Sequence, residues 1–438
     1  MIERLQLWFR HVTYNLRGGF LVRPLTIALT LGFVGALLSW LEESNPALGD
    51  WVPKVLFLSH ADPQVAQVIL AGIAASIMTV VSIVFAILLM TLTLASMQFS
   101  PRIIVSFVRD RATQWTLGIF LGTFLYCMAA LPAAHALPRP FAPVTTVLGA
   151  ISLAIICVGL LLFFIHHISQ AISVNHIVDR IASETEVVID DVMPLPRRQS
   201  RVETGDGAEP TWDTAIPSNV SGYIRFVDTR RLLALATSHR VKIHVVRRVG
   251  QFVPAGVPLL MVHKGERLSA EDQTQFRQAL DLGPTRTFQQ DVEFGVLQIV
   301  DIALRAISPA VNDPTTAICC VDQLSRLMIR FASREMPEPL YYDLYGTARV
   351  SLKWINFERL LDSAFEQIRM YSKTDTAVSL RLLRALGDIV ASTQDAALRN
   401  TLCDRANRVV EGCAERIGAE ELKPMLVRLT AVKKLVAP

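Results

Sequence analysis

Between Val65 and Met97 the chain runs for 33 residues without an Asp, Glu, Lys or Arg. About 20 apolar residues suffice to cross the hydrocarbon core of a bilayer as a helix. In lipid the backbone must satisfy its own hydrogen bonds, so a run of this kind has to be helical. It exceeds one crossing, and so must tilt or continue into water. Three shorter apolar runs accompany it, giving four spans near residues 24–41, 65–97, 116–131 and 144–165. Glu42 and Glu43, rather than a small-residue cleavage site, follow the first run, which therefore reads as a span and not a removable leader.

Charge divides the chain at the same place. Residues 1–165 hold nine Lys or Arg and six Asp or Glu, whereas residues 166–438 hold 34 and 33. The first part is lipid-like and the second has an ordinary soluble surface. With 51% hydrophobic residues and a mean hydropathy of +0.38, neither a fully soluble enzyme nor a disordered regulator is expected. A net charge of +4 is too mild to imply a nucleic-acid partner.

Lys and Arg in the short flanks set orientation. Arg4, Arg10, Arg17 and Arg23 precede the first span, and Arg102, Arg109 and Arg111 lie between the second and third. The other two loops hold only Lys54 and Arg139. The alternation predicts a multi-pass membrane protein with both termini cytoplasmic and two short external loops. None of the six cysteines falls in an external loop, so no disulfide framework is indicated. No Cys/His spacing suits zinc, and His166, His167 and His176 read as interfacial or surface residues.

No ionisable residue interrupts a span, which weakens a proton-coupled transporter. Two polar features remain. Gly118 with Gly122, and Gly72 with Ser76, are small-xxx-small pairs that permit close helix approach, within or between subunits. Ser76, Thr79 and Ser82 recur every three residues along the second span and could line a wet path. The blander reading is that these hydroxyls bond their own backbone carbonyls.

Gln98-Phe99-Ser100-Pro101-Arg102, Arg109-Asp110-Arg111 and the 117–126 stretch form one distinctive set of residues. Phe294-Gly295, Asp301, Ala303, Arg305, Ser308-Pro309 and Asn312-Asp313-Pro314 form a second. Together they resemble a family of bacterial predicted inner-membrane proteins known only as domain of unknown function 2254. The resemblance spans nearly the whole chain. It implies the membrane topology and carries no catalytic residue. Read physically, Ser100 and Pro101 would start an interfacial helix whose Arg102, Arg109 and Arg111 meet lipid headgroups or couple the spans to the soluble part.

After the fourth span, residues 166–193 keep a helical periodicity and read as a stalk. Residues 194–217, rich in Pro, Gly and charge, read as a linker. Residues 218–265 are β-branched and punctuated by glycine, and read as a small β unit. Gly250-x-x-Val253-x-x-Gly256-x-x-Leu259 is similar to half of a biotinyl/lipoyl-like sandwich, without the Met-Lys-Met or Asp-Lys pattern a prosthetic group would need. Residues 266–438 read as a helical cytoplasmic domain. Within it Gln298, Asp301, Arg305 and Ser308 form a narrow polar stripe, with Asp301 and Arg305 in the favourable acid-first i, i+4 order. Asn312 or Asp313 would cap the helix that Pro314 opens. Asp301, Arg305, Asn312 and Asp313 are the candidates for a ligand or subunit contact.

The expected fold is thus a four-span α-helical membrane domain followed by a cytoplasmic α+β region. No phosphate-binding loop, dinucleotide fingerprint, zinc-protease helix or nucleophile elbow occurs, so no cofactor, metal or common enzyme activity is expected. Four spans with no internal repeat cannot readily enclose a pore alone. The leading expectation is a homo-oligomeric channel with a cytoplasmic assembly or gating domain. A membrane-anchored ligand-binding or scaffold protein is the alternative, and an enzyme acting on lipid a second.

Overall fold

The computed structural model describes residues 22–45, 62–98, 110–134, 141–171, 173–194 and 211–436. The chain divides into two units, residues 1–173 and 174–438.

Among the described residues, the first unit holds four helices long and apolar enough to cross a membrane: α1 (Val22–Ser44), α2 (Pro63–Gln98), α3 (Arg111–Ala130) and α4 (Val144–Ala171). At 1.5 Å per residue the 36 residues of α2 extend about 54 Å, well beyond a single crossing. Half of α3's most apolar window is buried, against 17 to 22% in the other three. It is the central helix, packing on α1, α2 and α4. The two halves of the bundle are filled differently. Towards the end holding Ser44 and Pro63, the core is small: Ala66, Ala74, Ala130, Ala134, Ala142 and Ala150 surround Tyr126. Towards the end holding Val22 and Asp110 it is bulky, with Val84, Leu117, Phe120, Phe164 and Ile168.

Gly118 and Gly122 act within the chain. A Cβ on Gly118 would lie 2.8 Å from Ile27 Cδ1, and one on Gly122 would lie 2.5 Å from Leu31 Cδ1. On α1, Gly35 answers them: a Cβ there would lie 2.7 Å from the Tyr126 carbonyl oxygen. Small residues replace apolar driving force as the means of helix association in lipid. The boundaries also shift. α1 continues to Ser44, so Glu42 belongs to the helix and not to a flank, and α3 starts at Arg111 rather than near residue 116.

The second unit begins with α5 (Val174–Val192), whose Ile177, Val178, Ile181, Val188 and Ile189 are buried. It packs on α8 (Val292–Ala306) and α9 (Pro314–Ala332). A Cβ on Gly295 would overlap Thr185, so only glycine lets α5 approach α8 this closely. Later helices α10 (Phe357–Tyr371), α11 (Thr376–Ser392), α12 (Ala396–Ala414) and α13 (Ala419–Val436) complete the helical part.

The β part is larger than the 218–265 stretch and is discontinuous in sequence. A five-stranded sheet has the order β1-β5-β3-β8-β7 and a three-stranded sheet the order β4-β2-β6. Their strands are β1 (Thr214–Pro217), β2 (Gly222–Val227), β3 (Lys242–Val245), β4 (Phe252–Val253), β5 (Pro258–His263), β6 (Leu280–Gly283), β7 (Leu340–Tyr342) and β8 (Ala348–Leu352). Short helices α6 (Thr229–Ser238) and α7 (Ala270–Arg277) connect them. Ile216, Ile224, Ile243, Val262, Phe276, Val350 and Leu352 share one core. Four strands, β1, β6, β7 and β8, therefore come from residues read as linker or helical domain. The glycine-rich 250–259 stretch is divided between the two sheets: β4 pairs with β2, while β5 pairs with β1 and β3.

Candidate functional site

On α2, Ser76, Thr79 and Ser82 are exposed, as are Gly72, Ala75 and Ala86. The opposite side of the helix is buried through Leu70, Ala74, Ile77, Val81 and Val84. The small and hydroxyl-bearing face thus points away from the chain's own bundle, whose centre is filled by side chains. Thr79 Oγ1 donates to the Ala75 carbonyl at 3.1 Å and Ser82 Oγ to the Met78 carbonyl at 3.0 Å. Such bonds hide the donor and leave the oxygen able to accept from water.

Each end of the bundle is tied by a carboxylate. Asp110 caps α3, accepting from Thr113 N at 2.9 Å and Thr113 Oγ1 at 2.7 Å. His167 Nε2, on α4, lies 2.9 Å from the same carboxylate. His167 is therefore half-buried and joined to another span, more than a plain interfacial residue. Nearby, Arg23 Nη1 reaches Gln114 Oε1 at 3.4 Å. At the other end Glu42 is 3% exposed. It accepts from Thr145 N at 2.8 Å, Thr146 N at 3.1 Å and Thr146 Oγ1 at 3.0 Å, so α1 caps the first turn of α4. A helix N-terminus favours negative charge there. Tyr126 Oη donates to the Thr146 carbonyl at 3.1 Å, completing the joint. Of the three arginines expected at headgroups, Arg111 is exposed at the start of α3, and Arg102 and Arg109 lie outside the described residues.

The soluble unit has a buried charge cluster that the sequence reading missed. Asp291 caps α8, accepting from Phe294 N at 3.1 Å. Arg286 Nε and Nη2 hold both Asp291 oxygens, at 2.7 and 2.8 Å. Glu293 accepts from Arg248 Nη2 at 3.1 and 3.0 Å, from Arg286 Nη2 at 3.1 Å and from Ser363 Oγ at 3.0 Å. All four charged side chains are at most 13% exposed. Burial pushes the Glu293 carboxyl up, but Arg248, Arg286 and Ser363 outweigh it and hold the group below its ordinary range. Burial likewise lowers the Arg286 guanidinium, and Asp291 and Glu293 more than reverse it. Gly250, at φ +86, lies against this pair, and a Cβ there would overlap the Asp291 carboxylate. A carboxylate so held is a poor base and has no proton to donate near neutral pH. The cluster clamps the β part to the helical part.

Further along α8, Asp301 is half-buried and Arg305 exposed, while Gln298 is buried. Asn312 is exposed at φ +50, a left-handed conformation that asparagine tolerates. Asp313 caps α9, accepting from Thr316 N at 3.1 Å and Thr316 Oγ1 at 2.5 Å. The Thr316 hydroxyl and amide hold its carboxyl below the ordinary range. Asn312 and Asp313 share one turn, in which Asp313 N donates to the Ala306 carbonyl at 2.8 Å. No group of three or more metal-ligating side chains occurs among the described residues.

Four candidate spans joined to a mixed α/β soluble unit define a multi-span membrane protein with a large extramembrane part. The chain belongs to the predicted membrane protein family DUF2254, whose model matches residues 17–388. It is similar to uncharacterized proteins of Mycobacterium bovis and Mycobacterium tuberculosis. Each is 30% identical over 423 residues, covering 95% of this chain and 80% of the relative. No solved structure matches the chain. The last turn of α11 and all of α12 and α13 lie beyond the family match.

Proposed function

We propose that the chain is one subunit of a homo-oligomeric channel of the bacterial inner membrane, with both termini cytoplasmic and copies of α2 around a shared axis. The observation that carries this reading is the outward face of α2. Ser76, Thr79 and Ser82 are exposed on a bundle whose own interior is packed, so a wet path lined by them has to form between copies. Gly72, beside them, has open space within 4 Å of where its Cβ would stand. The soluble unit then assembles or gates the pore.

A second reading has its own support. The soluble unit has a core of its own and a clamped charge cluster, as a membrane-anchored binding or scaffold protein would need. The native mass of the purified protein in lipid nanodiscs separates the two. A discrete oligomer, with single-channel currents altered by Thr79→Leu or Ser82→Leu, supports the channel. A monomer, or an oligomer that passes no current, overturns it in favour of the anchored binding protein.

A further inference from the structure

The five-stranded sheet gathers several segments at one of its ends. Lys242 pairs with His263, Thr214 with Val262, Ile243 with Val350 and Tyr342 with Ala348. Hence β1, β3 and β8 begin at this end, and β5 and β7 finish there. Large apolar and aromatic side chains project from it. Leu344 and Tyr345, in the β7–β8 turn, are 102% and 88% exposed, while Trp212, just before β1, is 36% exposed with its ring packed against His244 at 5.6 Å between centroids. That turn is held firmly. The Asp343 carboxylate accepts from Tyr345 N and Thr347 N at 2.9 Å each and from Arg349 Nε at 2.8 Å.

Cations surround these residues. Arg240 precedes β3, Lys242 opens it, and Lys264 and Arg267 follow β5. None of the four forms a salt bridge among the described residues. Arg240 and Lys264 adopt φ of 53 and 62, positions where glycine would be easier, and each is exposed. The acids of this end are occupied. Asp213 accepts from the backbone amides of Lys264 and Gly265, and Asp343 serves the turn and Arg349. Asp213 and Glu266 are exposed carboxylates beside them, two against the four cations.

Trp and Tyr with an adjoining Leu suit the headgroup layer of a membrane, where one part of each ring is apolar and the other wet. Free cations suit anionic headgroups. We infer that this end of the five-stranded sheet docks onto an anionic lipid surface. The chain favours such a contact by its own connectivity. Only residues 172 and 173 separate α4, a candidate span, from α5, so the soluble unit stays at high effective concentration beside a bilayer.

The test uses the full-length protein with an environment-sensitive fluorophore on Leu344→Cys. Cys319 and Cys403, the two cysteines that are not buried, are replaced by Ser. Nanodiscs of phosphatidylcholine, with and without phosphatidylglycerol, supply the lipid. In the anionic discs the emission should move to the blue and be quenched by lipids carrying a headgroup-proximal nitroxide. Arg240→Gln with Lys264→Gln should lower the docked-to-free ratio about 30-fold, since each cation near an anionic surface contributes about 1 kcal/mol. Water-like, unquenched emission in both discs overturns the proposal. So does equal quenching with neutral lipid. A disulfide between Leu344→Cys residues of two copies, without lipid quenching, would assign the tip to a second copy instead.

Discussion

In the membrane unit, two carboxylates at opposite ends of the bundle bind helix N-termini, hydroxyls and one imidazole. In the soluble unit the corresponding joints are built from guanidinium groups: Arg248 and Arg286 on Glu293 and Asp291, and Arg326 on Asp179 and Glu186. The difference follows from the solvent each unit faces. A lipid-exposed helix carries few charges, so those present are met by neutral donors and the remaining cohesion comes from close glycine and alanine packing. A water-exposed unit can carry many charges, and where a pair is buried it must be complete, since an unpartnered buried ion is costly. Interfering with one joint in each unit should therefore give effects of different size and different salt dependence.

The largest effect is expected at Glu293. Glu293→Ala leaves Arg248 and Arg286 buried with one carboxylate between them, and removing one partner of a buried pair costs about 3–5 kcal/mol. Hydrogen exchange over α8 and β3, with the thermal transition of the full chain, will report it. An unchanged transition would mean that water reaches the cluster. The same residue gives a pH dependence. The folded protein holds Glu293 below its ordinary value of 4.5, so the folded state binds fewer protons than the unfolded chain across that range. The stabilisation is fully present above about pH 4.5 and is lost as pH falls towards the lowered value. Glu293→Gln should flatten that acid limb as well as lower stability at neutral pH.

In the membrane unit the sharper comparison is between two glycines. Gly122→Leu forces a side chain into Leu31, and overpacking of this kind costs about 1–3 kcal/mol. Unfolding in mixed detergent micelles should show it directly. Gly72→Leu meets no atom within 4 Å of its Cβ, and should leave the unfolding of a single chain unchanged. If α2 lines an oligomer axis, the same substitution should alter the native mass in nanodiscs. Equal effects of the two on chain stability would mean that the face of α2 is covered within one subunit.

The spans were legible because charge and apolar length decide them residue by residue. The cap at 312–313 and the Pro314 start of α9 were legible for the same reason, being contained within a few residues, while the choice of Asp313 over Asn312 came from the structure. Glu42 was misplaced because its burial depends on the N-terminus of α4, 103 residues further on. The short strands β7 and β8 sit between long helices, and β8 owes its place to parallel pairing with β3, as Ile243 with Val350. Nothing local announces such a pairing. The charge cluster fell between these cases. Asp291 and Glu293 at the head of a helix are a local sign, but Arg248 and Arg286 reach them only through the fold. The hydroxyl stripe on α2 was visible as a stripe, while its direction, away from the bundle, needed the packing of α3.

The smallest effect is expected where charges are most numerous. Along α5 and α9, Arg326 contacts Asp179 at 2.9 Å and Glu186 at 2.5 Å, and Arg330 and Arg334 both contact Asp190. Arg326 is 40% exposed and Asp179 56%, so water competes for both. Beneath them Ile177, Val178, Ile181, Val188 and Ile189 are buried and hold the two helices by apolar contact. Arg326→Ala should therefore cost at most about 1 kcal/mol, and the loss should shrink further as salt is raised. A denaturant titration at low and high salt distinguishes this from the Glu293 cluster, whose side chains are too buried for ions to screen. If Arg326→Ala proves as damaging as Glu293→Ala and insensitive to salt, the α5–α9 ladder is shielded from water in the intact protein, and the contrast drawn between exposed and buried arginines fails at that joint.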